Sequence, residues 1–247
     1  MSDQLPPCIT IKDLTVIYNS KPVIWDLDLI VPQATLLGII GPNGSGKTTL
    51  LKTIMGTIKP IAGTITIHQN NKTQNTQNIA YVPQKNSIDW TFPVNVYDVV
   101  MMARTAKLYW YQQAQKKDYE IVDWAIEQVN MSNFKDKHIS ELSGGQQQRI
   151  FLARALAQQA DILILDEPFN GIDLATEQLI LSVLKGLKEL GKTIIVVHHD
   201  LNTVQKYFDW TFLMNIKHIA LGPTKNILTS ENIEKTFQAK FDWNIPL

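Results

Sequence analysis

Residues 41–48 read Gly41-Pro42-Asn43-Gly44-Ser45-Gly46-Lys47-Thr48, a string of the form G-x-x-x-x-G-K-[ST]. Each residue type has a task in holding phosphate. Glycines let backbone N–H groups turn inward around phosphate oxygens, and a helix starting where the string ends points its positive pole at the same anion. Lys47 supplies a point charge suited to β- and γ-phosphates, the Thr48 hydroxyl can ligate Mg²⁺, and Thr49 carries the cradle on into the helix. The bland alternative is a glycine-rich turn with a chance lysine. Context argues against it: Leu36 to Ile40 is an unbroken apolar run, as in a strand buried on both faces, and Thr48 to Met55 is patterned as a helix.

A nucleoside triphosphate needs more than a cradle. Ile162-Leu163-Ile164-Leu165-Asp166-Glu167 is another buried-strand run, and it ends in two carboxylates at the place where α/β sheets present their ligands. Asp166 suits Mg²⁺ through a water. Glu167, one residue further and pointing differently, could orient or deprotonate the attacking water. Leu142-Ser143-Gly144-Gly145-Gln146 precedes a helical stretch, Gln147 to Gln158, and forms a second small-residue anion nest at a helix N-terminus. One triphosphate has no obvious need of two nests. The economical reading gives each nest to a different nucleotide, with two chains meeting head to tail across two triphosphates.

The elements that must position these groups follow from hydrophobic periodicity. Ile9-Thr10-Ile11 and Leu14-Thr15-Val16, then Val23 to Trp25 and Leu27 to Val31, predict short antiparallel strands with turns at Asn19-Ser20 and near Pro32. Ile61 to Ile67 and Ile79 to Val82 read as another hairpin, and His68 to Asn78, rich in Asn, Gln and Thr, as a solvated loop. From about residue 90 to 160 the strand signal stops: Tyr119, Val122, Ile126 and Val129 fall at helical spacing, as do Ile150, Ala153 and Leu156. Thr193 to Val197 is a further buried-strand run, separated from Ile162 to Leu165 by a helical stretch ending at Gly191. The expected fold is therefore β/α with parallel strands, interrupted by an all-helical block. No repeat or long linker divides it, so residues 1–247 read as one domain with an extension at 224–247.

Composition narrows the setting. With 45% apolar and 19% charged residues, the 247-residue chain can bury a full core. Lys plus Arg (23) balance Asp plus Glu (23), which argues against a protein held to nucleic acid or anionic lipid by bulk charge. The single cysteine, Cys8, precludes an internal disulfide framework and suits a reducing compartment. No apolar run approaches the roughly 18–20 residues that span a bilayer, and Met1-Ser2-Asp3-Gln4-Leu5-Pro6-Pro7 lacks the order of a secretory signal. A soluble cytoplasmic protein is expected.

The string Leu142-Ser143-Gly144-Gly145-Gln146 resembles the defining signature of the ATP-binding-cassette family, and the likeness runs from about Ile9 to Gly222. That resemblance implies a P-loop NTPase (RecA-like) α/β core, an N-terminal antiparallel β-subdomain and an inserted helical subdomain at about 90–160. It implies that Tyr18 stacks on adenine, that Gln84 touches Mg²⁺ and the attacking water, and that His199 holds the γ-phosphate. Ser143 and Gly145, with Gly144 and Gln146 beside them, would meet the γ-phosphate of the opposite copy. Asp173 matches the aspartate of the loop crossing the dimer interface, although Asn170-Gly171-Ile172-Asp173 departs from the commoner S-A-L-D. His198 would face away from His199 on a strand and so pack or hydrogen-bond; the pair is not a metal site.

In this family such a chain drives transport through a separate permease. The segment Ile88 to Val100, with Trp90 and Phe92 near Pro93, would then receive a permease helix, while Tyr109-Trp110-Tyr111, near Lys107, Lys116 and Lys117, suits ordinary surface packing. The run Tyr81-Val82-Pro83-Gln84-Lys85, the segment from Ile88 to Val100 and the pair His198-His199 resemble the branch serving metal-cation importers, manganese or iron more than zinc. This implies ATP and Mg²⁺ as cofactors, a second copy of the chain, integral membrane permease subunits, an extracytoplasmic metal-binding protein, and a peripheral place on the cytoplasmic face of the membrane. No nucleic-acid partner is expected. A non-transport cassette would carry long coiled-coil insertions or tandem cassettes, and a kinase or GTPase would leave the second nest unexplained.

Overall fold

The computed structural model describes residues 5–18, 21–68, 79–85, 92–106, 108–109 and 111–238. It divides into two compact units, one of Met1–Thr76 with Gly191–Leu247 and one of Gln77–Leu190.

In the first unit, β1 (Pro7–Tyr18) pairs antiparallel with β2 (Lys21–Pro32) on one side and with β4 (Ala62–Ile67) on the other, giving the order β2-β1-β4. Ile9, Ile11, Leu14 and Val16 of β1 are buried, and Ile9 sits opposite both Val31 and Ile67. The alternation slips between Ile11 and Leu14, where Asp13 takes a positive φ of 52°, so a bulge keeps both apolar pairs inside. A second sheet in this unit runs β7 (Thr193–His198), β3 (Leu36–Ile40), β8 (Trp210–Asn215), β9 (Lys217–Pro223). The first three strands are parallel and β9 returns antiparallel from β8. Every residue of β3 and β7 is buried, as their unbroken apolar runs require. Helices α1 (Lys47–Ile54), α6 (Leu201–Tyr207), α7 (Thr224–Ile227) and α8 (Ser230–Phe237) complete the unit.

In the second unit, β5 (Ile79–Val82) lies parallel to β6 (Ile162–Asp166), with Ile79 opposite Ile162 and Val82 opposite Leu165. Four helices accompany them: α2 (Val96–Thr105), α3 (Lys116–Gln128), α4 (Gly144–Ala157) and α5 (Leu174–Glu189). On α3, Val122 and Ile126 are fully buried and Tyr119 is exposed. Arg104 of α2 bonds the Asp118 carboxylate of α3 at 2.9 Å and donates to the Ala157 carbonyl at the end of α4 at 3.0 Å, fastening three helices at one point. Removing one member of such a nearly buried pair costs about 3 kcal/mol, because the other charge is left desolvated.

Two expectations need correction. Ile61 to Ile67 and Ile79 to Val82 do not form a hairpin: the first lies in β4 against β1, the second in β5 against β6. A short alternating run states which face is buried but not which strand lies beside it, and here both partners are distant in sequence. The helix expected from Gln147 begins at Gly144, because Ser143 caps it. Most of the expected solvated loop, residues 69–78, lies outside the described residues. No described helix is long and apolar enough to cross a membrane.

Candidate functional site

In the first unit, β3 runs into the glycine string and α1 leaves it. Gly46, at φ 95°, is the residue before α1, and a side chain there would come within 2.6 Å of the Val23 carbonyl oxygen on β2. Only glycine fits both the backbone angle and the space. The turn between β8 and β9 braces the loop from another side, since Ile216 N–H donates to the Ser45 carbonyl at 3.0 Å. The Lys47 ammonium reaches back to the carbonyls of Gly41 and Pro42, at 2.8 Å each. Ser45 Oγ is buried without a hydrogen-bond partner, which marks an inward polar group suited to an anion. Asn43, Gly44 and Thr48 are exposed, Pro42 and Thr49 half-buried, and no acidic residue stands in the first turn of α1 to repel a phosphate. These residues fit a polyphosphate.

Tyr18, 46% exposed, ends β1, and His199 is exposed just after β7. His198 is buried: its Nε2 lies 2.6 Å from the Thr203 hydroxyl, and its ring meets the edge of Phe208. Burial first, then neighbouring His199, holds the His198 imidazole down to about 4, so it is neutral at physiological pH. The sequence reading of His198 as a packed, hydrogen-bonded residue agrees with this. Among the described residues no cluster of His, Cys, Asp and Glu is arranged to hold a metal ion.

In the second unit, β6 delivers buried Asp166 and half-buried Glu167. Tyr81 on neighbouring β5 is pushed up to about 12 by burial and then by the Asp166 charge. Gln84 Nε2 donates to Glu167 Oε2 at 3.1 Å, which brings together two residues the sequence placed in one reaction. The second nest is a reciprocal cap: Ser143 Oγ accepts from Gln146 N–H at 3.4 Å, and Gln146 Oε1 accepts from Ser143 N–H at 2.9 Å. Asp173 caps α5 through Thr176, and those bonds keep its carboxyl below the usual carboxylate range. A side chain on Gly145 would press on Thr176 Oγ1 at 3.1 Å and Asp173 Oδ2 at 3.3 Å, so α4 seats closely on the start of α5 at this glycine. Gly144 is similarly overlain by the Lys85 ammonium.

Phe92 is 58% exposed, while Trp90 lies outside the described residues. Tyr109 and Tyr111 stack on each other at 5.7 Å and are both exposed; Trp110 and Lys107 are outside the description. Sequence reasoning missed Asn170, whose side chain touches Glu167, and the strands β8 and β9, although Trp210-Thr211-Phe212-Leu213-Met214 carried an apolar signal.

A cradle on a strand-to-helix turn, a strand ending in paired carboxylates and a capped second nest together define an ATP-binding cassette. The chain belongs to the ABC transporter family, whose model matches residues 24–170, and it is an ATPase. Among its relatives, the manganese transport system ATP-binding protein MntB of Bacillus subtilis is 48% identical over 93% of this chain and 92% of its own length. The zinc transport system ATP-binding protein TroB of Treponema pallidum is 47% identical over 93% and 86%. A solved inward-facing ABC transporter assigned to the metal-chelate type superposes with a TM-score of 0.83 at 30% identity, covering 94% of this chain and 89% of that one.

Proposed function

We propose that the chain powers uptake of a divalent metal cation, manganese first and iron or zinc next, as the ATP-hydrolysing subunit of an importer. It works as a pair of copies on the cytoplasmic face of the membrane, beneath separate permease subunits fed by an extracytoplasmic metal-binding protein. The whole chain acts as one cassette, with residues 90–160 as its helical subdomain and 224–247 as an extension. The observation carrying the paired arrangement is the presence of two anion nests in one chain, one before α1 and one before α4. The cargo reading leans on relatives named for manganese and zinc transport, and on one named for chelated iron transport, from Yersinia pestis, at 42% identity.

In this reading Tyr18 stacks on adenine, while Gly41 to Thr49 wrap the phosphates. Lys47 and His199 neutralise charge growing on the γ-phosphoryl, the main requirement of phosphoryl transfer. Glu167 Oε1 or Oε2 accepts a proton from the attacking water, and Gln84 holds Glu167 in place. Thr48, Gln84 and, through water, Asp166 would supply the oxygen donors that Mg²⁺, a hard cation, prefers, and the ion would offset phosphate charge there. Ser143, Gly144, Gly145 and Gln146 complete the triphosphate site of the other copy, and Asp173 reports its state across the interface. Differential contacts with the γ-phosphate then favour the closed pair before hydrolysis and the open pair after it.

Two experiments test this. Cells lacking the subunit should lose uptake of radioactive manganese and regain it with the gene; normal uptake of manganese, iron and zinc together would remove the cargo assignment. Cysteines replacing Ser45 and Ser143, in a background without Cys8, should crosslink between separate copies when ATP is held by Glu167→Gln. Crosslinks that never form would remove the paired arrangement.

A further inference from the structure

Where β8 turns into β9, Met214 and Ile216 both touch the cradle. The Met214 carbonyl occupies the space that a side chain on Gly41 would need. Ile216 N–H donates to the Ser45 carbonyl at 3.0 Å, and the Ile216 carbonyl accepts from Trp25 N–H of β2 at 2.8 Å. Asn215, between them, carries an amide whose Nδ2 donates to the Thr236 carbonyl in the last turn of α8 at 2.9 Å. Carbonyls in the last turn of a helix lack an intrahelical partner, so this amide caps α8 from outside. Thr236 is fully buried and its hydroxyl donates to the Asn232 carbonyl at 2.6 Å, so the amide grips a part of α8 that is itself tied in. Ile216 sits at a φ of 62°, in the left-handed region that a β-branched residue enters only when its surroundings hold it there. That angle sets the direction of its N–H against its carbonyl, so the bonds to Ser45 and Trp25 are made together at this value.

We infer that Asn215 is a positioning residue for ATP binding: by fastening the junction to α8 it keeps Ile216 in its strained conformation, and Ile216 keeps Ser45 in place. This rests on the reading of Gly41 to Thr49 as the phosphate cradle. Ser45 is the member of that cradle whose buried Oγ has no hydrogen-bond partner, so its placement decides how an anion is met. A strained residue relaxes when one of its anchors goes, and here relaxation would release the cradle at Ser45. The helix α8 thereby acquires a task in nucleotide affinity, although it supplies no group to the nucleotide.

The test is ATP binding by calorimetry and ATP hydrolysis, both with the full chain. Asn215→Ala should weaken ATP binding about tenfold, the weight of one lost hydrogen bond, with kcat at saturating ATP changed less than about twofold. Asn215→Asp keeps the shape but sets a carboxylate against the Thr236 carbonyl, and should weaken binding further, by about thirtyfold. Adding Ile216→Gly to Asn215→Ala should return affinity to within about threefold of the wild type, because glycine holds a positive φ unaided. Packing alone predicts the opposite, since a second lost side chain would only add to the damage. Wild-type affinity in both Asn215 variants, a loss confined to kcat, or no recovery with Ile216→Gly would overturn the brace. The same coupling is readable without any variant: ATP should slow amide exchange over Asn232 to Gln238 in the wild-type chain, and unchanged exchange there would also overturn it. Lys47→Ala is the reference. If it binds ATP normally, the cradle reading has failed; if it loses affinity while the Asn215 variants keep theirs, the brace alone has failed.

Discussion

The two nests look alike in sequence, yet the chain builds them on opposite terms. The nest before α1 is braced from outside, by Val23 on β2 and Ile216 between β8 and β9, and no side chain caps its helix. The nest before α4 is closed from within, because Ser143 and Gln146 satisfy each other. The first is preorganised for an anion. In the proposed reading the second would have to surrender a capping bond to take one, and so would engage only when a phosphate is offered at the right distance. Under the proposed pairing, a strong permanent grip and a weak conditional one would suit a cycle of closing and reopening.

Substitutions and acid put the contrast between the nests to the test. The largest effect belongs to the carboxylate just after β6: Glu167→Gln should cut turnover about a thousandfold while ATP binding persists, as single-turnover and binding assays would report. Unchanged turnover would remove Glu167 from the chemistry. The next separates the units by acid. His198 ordinarily titrates near 6.5 when unfolded and is held down to about 4 in the folded chain. The folded state therefore refuses a proton that the unfolded state accepts. Its contribution, about 3 kcal/mol, is fully present above pH 6.5 and is lost as pH falls from 6.5 toward 4. Thermal melts should show that loss, hydrogen exchange should assign it to the first unit, and His198→Phe should flatten it.

Lys47→Ala should weaken ATP binding about a hundredfold in calorimetry, consistent with loss of a charge-assisted contact to phosphate. Normal affinity would mean the braced nest is not the gripping one. The smallest effect falls on the self-capped nest. Gln146→Ala should cost about 1 kcal/mol or less in denaturant unfolding, since it breaks one arm of the cap and leaves the other. A larger loss would show that the cap is structural and not a reserve for phosphate.

Much of this was legible because the informative residues are local. The unbroken runs at 36–40, 162–165 and 193–197 announced strands buried on both faces, and the structure has them as β3, β6 and β7. The cradle could be read from eight consecutive residues with their neighbours. What escaped was pairing. β4 resembles a hairpin partner of β5 only because alternation carries no address; its partner β1 lies some fifty residues away. The start of α4 was missed because two glycines disguise a helix, although Ser143 and Gln146 at capping-box spacing were the available signal. Asn170 stood out only as a departure from S-A-L-D, which does not disclose its contact with Glu167.

The Lys47 ammonium, bonded to the Gly41 and Pro42 carbonyls, has a kinetic consequence. A loop already curled around its own cation offers an incoming nucleotide a finished mould. Loading becomes an exchange of acceptors, carbonyl for phosphate oxygen, with little new chain to organise. Entry is then paced by diffusion and by the solvent displaced.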